Sequence, residues 1–495
     1  MLFPVLILLV STPHYGATLL RVYEQRKDRQ AYAIFSVWAS AAVFAFFVAS
    51  LWSPELGTFL ITLGFSWSPW HYTGQNYGIA VTFLRRDGLP LDGTTKRWLY
   101  ASFILSFLFS IAVMHTGSGE ATYLGRSSEL SQARFLAVGL PAAIANVVLP
   151  TFLLGYVGAS AVAGWRLTRG RTVRSLIPVA FLSLAHTMWF VVPLLIQWAG
   201  WSPRMDALDP NWRTHYFVWI ALAHAAQYLW VTSYFAKKTG GYGTGAAWYA
   251  KVMASGAAIW TFPVLACGPL VGGPLSLDMG LAALVSAAVN IHHFILDGAI
   301  WKLRGRIANL LIRNASDDDG AVRSTVPRKV ILAVCSVAVV VSGFEIYERT
   351  RDRVGAELEI RRGALERLAW FGLDTTESHA DVGAQYLTRG DSAEALDHFA
   401  RLVDLRGNPQ DWAFLGQAHI QAGNWALALD ALAISREAFP ARANLHASAA
   451  WALSQLGEHD KALAAIERAA ELAPENPNVM RDRAEIWKRS GASPR

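Results

Sequence analysis

Residues 278–301 read DMGLAALVSAAVNIHHFILDGAIW, an apolar run that carries a histidine doublet and a carboxylate in its second half. A helix needs roughly 20 residues to cross about 30 Å of hydrocarbon, and this run meets that length. Asn290, His293 and Asp297 are three and four residues apart, so one helix face presents all three. Imidazole and carboxylate lose hydration in such a place, and they are kept there to bind a metal, move a proton or hold a ligand. The run therefore predicts an all-α membrane fold with a polar centre inside it.

Nine further apolar runs extend the reading. They centre on residues 2–20, 31–52, 57–84, 98–115, 135–163, 175–199, 214–236, 252–272 and 330–346, giving about ten spans over residues 1–348. The third and fifth are long enough to tilt or break, and Pro69, Pro141 and Pro150 supply places to do so. Composition agrees, with 53% hydrophobic residues and 20 Trp in 495. Residues 1–348 carry 26 Lys/Arg against 16 Asp/Glu, and residues 349–495 carry 18 against 21. The basic excess thus flanks membrane segments and gives no support for a nucleic-acid partner.

The loops carry an orientation. Those at 21–30, 85–97, 166–174, 237–251 and 302–329 hold 22 Lys/Arg, while those at 53–56, 116–134, 200–213 and 273–277 hold 4. By the positive-inside bias the first set is cytoplasmic, which puts the N-terminus outside and, after ten spans, the C-terminal region outside as well. No Lys or Arg precedes the first run and Arg21 to Arg29 follow it, the arrangement of a retained helix rather than a cleaved signal. Cys267 and Cys335 both fall in apolar runs and form no disulfide framework.

Histidine recurs at overlapping depth in these runs. His14, His71, His224, His292 and His293 are the predicted metal ligands, and His186 is a more distant candidate. Gln75 lies one turn from His71, Gln227 and Tyr228 one turn from His224, and Asp297 one turn from His293. Gln75, Gln227, His186 and Asp297 are expected to support the ligands, Asp297 by orienting an imidazole or by ligating directly. Gly16, Gly74 and Gly298 allow close helix contact nearby. Neutral imidazoles with at most one carboxylate suit a transition metal, iron first, then copper or zinc. A lone buried histidine is equally a polar tie between helices; the recurrence is what favours a shared centre. His115 and His215 sit near outer span ends and are left out of it.

The chain lacks the HxxxH and HxxHH clusters of membrane desaturases and the ligand pattern of haem-copper oxidases. It also lacks a GxSxG elbow, a P-loop and a dinucleotide fingerprint. The scattered single histidines, with Pro13-His14 early and a late His-rich helix, resemble in short strings across residues 13–298 the membrane carotenoid-cleaving dioxygenases of the Brp/Blh type. That resemblance implies a polytopic fold whose histidines hold one iron. The acidic run Asp317-Asp318-Asp319 reads as a solvated loop.

The C-terminal region repeats. Gly390, Gly423 and Gly457 are 33 and 34 residues apart, and Ala395-Leu396, Ala428-Leu429 and Ala462-Leu463 follow them at the same offset. Pro409, Pro440 and Pro474 close the units, and Gly491 marks a partial fourth. The pattern over residues 380–492 resembles the tetratricopeptide repeat (TPR), which implies stacked helix pairs with a concave face for a protein or peptide partner. A linker helix over 349–374 and a repeat domain over 375–495 are expected, with Phe399, Trp412, Leu415, Ala449 and Trp451 in its core. His379, His398, His419, His446 and His459 share no ligand spacing and read as ordinary helix residues.

Together these features predict a membrane protein with a histidine-rich, iron-binding oxidative centre for a lipid-soluble small molecule and an exported TPR domain. The alternative is a non-enzymatic scaffold or transport-associated protein that acts through its repeats.

Overall fold

The computed structural model describes residues 5–24, 32–86, 91–116, 121–123, 134–193, 195, 210–239, 245–301 and 328–491. The acidic run at 317–319 and most of the basic loop at 302–329 lie outside the described residues. The described chain contains 18 α-helices, with one short antiparallel strand pair joining Ala121–Tyr123 (β1) to Arg134–Leu136 (β2). It forms two compact units, Met1–Cys267 with Gly280–Ile346, and Gly268–Met279 with Tyr347–Arg495.

In the first unit the helices are α1 (Thr12–Leu19), α2 (Ser40–Ser50), α3 (Pro54–Arg86), α4 (Gly93–Met114), α5 (Ala142–Thr168), α6 (Val173–Phe190), α7 (Pro210–Thr239), α8 (Gly245–Cys267) and α9 (Ala282–Ile300), followed by α10 (Arg328–Arg351), which runs on into the second. π-Helical turns at Ile7–Ser11 and Leu20–Glu24 flank α1, and others precede α2 and α9. Pro69 and Pro150 lie inside helices assigned without a break, and Pro141 caps the start of α5.

Ten spans were expected, and among the described residues five helices are long and apolar enough to cross a membrane: α4, α5, α6, α8 and the Leu277–Ile300 segment containing α9. Ile34–Ser50 is apolar but shorter. The reason is chemical. Helices α3 and α7, at 33 and 30 residues, have the length, but His71, Gln75 and Asn76 on α3 and His224 and Gln227 on α7 lower their apolarity. α1 is only eight residues long between its π-turns.

That short helix is nonetheless the best buried of the unit, with Thr12 through Thr18 all inside. It reaches this position by backbone contact with α8. A Cβ on Gly16 would lie 1.7 Å from the Val252 carbonyl oxygen, and one on Gly256 would lie 1.9 Å from that of Thr12. Only glycine permits the approach, and the approach carries His14 into the bundle.

The second unit contains α11 (Leu358–Ala369) and seven helices stacked in sequence: α12 (Thr376–Arg389), α13 (Ser392–Arg406), α14 (Pro409–Gln421), α15 (Trp425–Ala438), α16 (Ala443–Gln455), α17 (His459–Leu472) and α18 (Pro477–Ser490). The sequence repeat maps onto helix pairs. Gly390, Gly423 and Gly457 take φ of 92°, 77° and 78° after α12, α14 and α16, the left-handed turn that ends a helix. Ala395, Ala428 and Ala462 are fully buried where pairs cross. Gly383 and Gly416 sit under Phe399 and Leu432, with room for no Cβ. Phe399, Leu415 and Ala449 are buried and Trp412 and Trp451 half-buried, while Leu358 and Leu365 of α11 join the core of the first pair. The 268–279 segment belongs to this unit because Asp278 Oδ2 accepts from Thr376 Oγ1 (2.7 Å) and Glu377 N–H (3.2 Å) at the start of α12.

Gly16→Val and Gly256→Val are each expected to destabilise the first unit by ~1–3 kcal/mol or more, because the clash is with backbone that cannot swing away. Thermal unfolding in detergent should show both below wild type, with Gly74→Ala, which meets nothing within 4 Å, unchanged. Equal midpoints for all four proteins would contradict the close-contact account.

Candidate metal centre

Four helices of the first unit deliver the centre. α1 supplies His14 and Thr18, α3 supplies His71, α7 supplies His224 and Tyr228, and α9 supplies His293 and Asp297. His14, His224, His293 and Asp297 are all buried. The nitrogens of His14, His224 and His293 lie within 4.8 Å of one another, and those of His71 and His293 lie within the same distance of an Asp297 oxygen. His293 belongs to both sets, which makes it the hub. The His71 ring stacks on Phe294 at 4.4 Å, which fixes its plane.

A neighbouring carbonyl sets the His14 tautomer. His14 Nδ1 is 3.2 Å from the Ser11 carbonyl oxygen and must donate to it, so His14 Nε2 carries a lone pair. Thr18 and Tyr228 both donate their hydroxyl protons to Asp297 Oδ1, at 2.8 and 2.7 Å. Thr18 Oγ1 also lies 3.0 Å from His293 Nδ1 and 2.6 Å from the Tyr228 hydroxyl, so it ties that imidazole to the carboxylate. The two Nε2 atoms face each other at 2.9 Å. His71 Nε2 and both ring nitrogens of His224 are buried with no hydrogen-bond partner. Asp297 Oδ2 completes the set, 3.4 Å from His293 Nε2 and 3.8 Å from His71 Nε2. Ring nitrogens and a carboxylate oxygen thus converge from four helices, a donor set of the kind that holds a metal ion.

The remaining predicted residues go elsewhere. His292 points away from the cluster, with Nε2 2.9 Å from Ser40 Oγ, because a neighbour on a helix is turned about 100° from His293. His186 binds Ser106 Oγ (2.6 Å) and Asn76 (3.1 Å) in a separate tie. Gln75 Nε2 donates to Gln227 Oε1 at 2.9 Å, so the two amides join α3 to α7 beside His71. Gly74 and Gly298 have open space at the Cβ position. His115 bonds Ser66 and accepts from Val138 N–H. His215 lies outside the residues whose side chains are described. Sequence reading missed Thr18, whose role depends on a fold that places it on the carboxylate and on His293 at once. Tyr15, which donates to Asn290 Oδ1 at 2.8 Å, was missed for the same reason.

A cavity of about 360 Å³ adjoins the centre, with His71 and Asp297 in its wall and Trp67, Trp70, Trp230 and Trp301 around them. It suits an apolar molecule brought beside a polar reaction point.

The repeat unit holds a second polar cluster. His379 Nδ1 lies 2.9 Å from His398 Nδ1, His379 Nε2 donates to Asp374 (3.1 Å), and Arg401 grips the same carboxylate at 2.7 and 3.1 Å. Burial, then the neighbouring His379, pushes His398 down to about 3. Burial works to raise Asp374, but hydrogen bonds from His379 and Arg401 outweigh it and hold the carboxyl at about 2. Spacing alone concealed this group, whose members meet across helices.

No protein-family model matches the chain, and no curated protein matches it. Among solved structures it is similar to MamA from Desulfovibrio magneticus RS-1 (21% identity, TM-score 0.26, covering 30% of this chain and 84% of that one). MamA MSR-1 is similar at 23% identity and TM-score 0.26, covering 30% and 87%. At these scores the likeness assigns neither fold nor function, and the repeat assignment rests on the helix pairs and their spacing.

The His398 shift carries a pH dependence. An unfolded histidine takes up a proton near 6.5 while the folded one stays neutral to about 3, so the unfolded state binds more protons between those values. Stability of the repeat unit is expected to fall as pH drops through that window, and His398→Phe, which keeps a ring against Tyr386, is expected to flatten the decline. Denaturant titrations at stepped pH would show it; identical slopes for both proteins would contradict it.

Proposed function

We propose that the chain is a polytopic membrane protein whose His14–His71–His224–His293–Asp297 centre holds a transition metal, iron first, and acts oxidatively on a lipid-soluble substrate lying in the adjoining cavity. The observation that carries the reading is the convergence of His14, His71, His224, His293 and Asp297 in two overlapping sets, with His71 Nε2 and both ring nitrogens of His224 buried and unpartnered. Each neutral imidazole offers one lone pair, and a metal would supply the partner those nitrogens lack. The donor set of imidazoles and one carboxylate fits iron, with copper or zinc behind it. Iron held by such a set supplies oxygen activation and one-electron chemistry.

The chain's own residues have definable tasks in this reading. Thr18 and Tyr228 pin Asp297 Oδ1, which leaves Oδ2 directed at the histidines. Trp301 Nε1 donates to Tyr228 (2.9 Å) and holds that hydroxyl in place. The indole rings of the cavity exclude water and orient an apolar chain, and the buried imidazoles stay neutral, the form in which nitrogen binds a metal.

The repeat unit is proposed to receive a protein partner on the outer side of the membrane. Support comes from connectivity. The segment before α9 and residues 347–495 form one unit, so both lie on one side, and a chain that crosses by α9 returns through α10. The 22 to 4 bias of Lys/Arg among the loops of the sequence reading supports an extracytoplasmic placement of that side.

Protein purified without chelators is expected to contain stoichiometric transition metal by elemental analysis. His14→Ala, His71→Ala, His224→Ala and His293→Ala should each lower it. Asp297→Asn and Thr18→Val should weaken metal affinity by roughly 10 to 100-fold, as loss of orienting partners does. His292→Ala and His186→Ala should leave content unchanged. Metal-free wild-type protein would overturn the oxidative reading and favour a scaffold. For topology, a reporter active only in an oxidising compartment should work when fused after Arg495; activity of a cytoplasm-only reporter there would contradict the orientation.

A further inference from the structure

The cavity beside the metal centre is elongated, and its two ends differ. Its wall follows α3 from Trp67 to Arg86, 19 residues or about 28 Å of helix, with α7 and α9 opposite. Around Trp67, Trp70 and Phe294 the lining is aromatic. At the far end stands Arg86, exposed at the mouth, its guanidinium 5.3 Å over the Tyr234 ring and donating to the Tyr234 hydroxyl at 3.4 Å. Among the described residues no carboxylate pairs with Arg86. The floor between the ends is open because Gly74 and Gly78 leave space where a Cβ would stand, with nothing within 4 Å. A volume of about 360 Å³ spread over that length is room for one chain, not two.

We propose that this channel binds a single-chain lipid with an anionic carboxylate head, the head at Arg86 and the chain running past Gly78 and Gly74 to His71 and Asp297. Charge complementarity selects the head, since guanidinium pairs with carboxylate through charge-assisted hydrogen bonds while aromatic walls take the chain. The arrangement also fixes register. His71 is 15 residues from Arg86, about 22 Å along α3, so a bound head sets which part of the chain lies at the histidines. This names the substrate class of the centre described above, but the binding test does not read the metal, so the two claims fail separately.

The test uses the full-length protein in nanodiscs of zwitterionic lipid. The probe is a conjugated tetraene fatty acid, whose absorption overlaps tryptophan emission, so binding near Trp67, Trp70, Trp230 and Trp301 appears as energy transfer. The free acid is expected to bind about tenfold or more tighter than its methyl ester, the scale of one charged hydrogen bond. Arg86→Gln should bring the two to equal affinity, and Arg86→Lys should keep the preference. Gly78→Leu should abolish transfer from both while leaving metal content at the wild-type level. Equal binding of acid and ester to wild type, or an unchanged preference in Arg86→Gln, would overturn the proposal. So would competition by a two-chain anionic phospholipid as effective as that by the single-chain acid, which would assign Arg86 to ordinary headgroup contact.

Discussion

The constraint around which the first unit is arranged is a buried cluster of imidazoles and one carboxylate whose polar atoms are only partly satisfied within the protein. His14 and His293 come from opposite ends of that unit's sequence, and their Nδ1 atoms lie against the Ser11 carbonyl and Thr18. Their Nε2 atoms meet at 2.9 Å, and the nitrogens of His71 and His224 without a partner leave buried polar groups uncompensated. A bound cation would supply that partner. The polar groups around it, Thr18, Tyr228 and Trp301, lock one carboxylate oxygen and leave the other facing the histidines.

Bringing those groups together has a structural cost visible elsewhere. α1 reaches the interior through backbone contact at Gly16 and Gly256, an approach that leaves no tolerance for a side chain. α3 and α7, which deliver His71 and His224, are long but too polar to meet the composition of a simple membrane span. α9, which delivers His293 and Asp297, does meet that composition. Channel and centre then share α3, so one helix sets both the ligand and the path by which a chain reaches it.

The repeat unit was legible in the sequence because its determinants are local: glycine at a left-handed turn and alanine where helices cross recur every 33 or 34 residues. The first unit was legible as apolar helices and as a set of buried histidines, and His14, His71, His224 and His293 do meet. What periodicity does not encode is which neighbour of a doublet turns inward. His292 and His293 are adjacent in sequence and a third of a turn apart in space, and only tertiary packing on α1 decides between them. Thr18 and the His379–His398 contact were hidden for a related reason: hydroxyls and helix histidines are common, and their significance comes from partners distant in the chain. The count of about ten spans exceeds the five sufficiently apolar helices among the described residues because the runs were drawn by length, without weighing the polar side chains that dilute helices such as α3 and α7.

X-ray absorption at the metal edge of the purified, metal-loaded protein addresses the central claim most directly. The account predicts a nitrogen and oxygen shell with the multiple scattering of several imidazoles, weakened by His224→Ala and unaltered by His292→Ala. A shell without imidazole scattering, or one that His224→Ala leaves untouched, would contradict it.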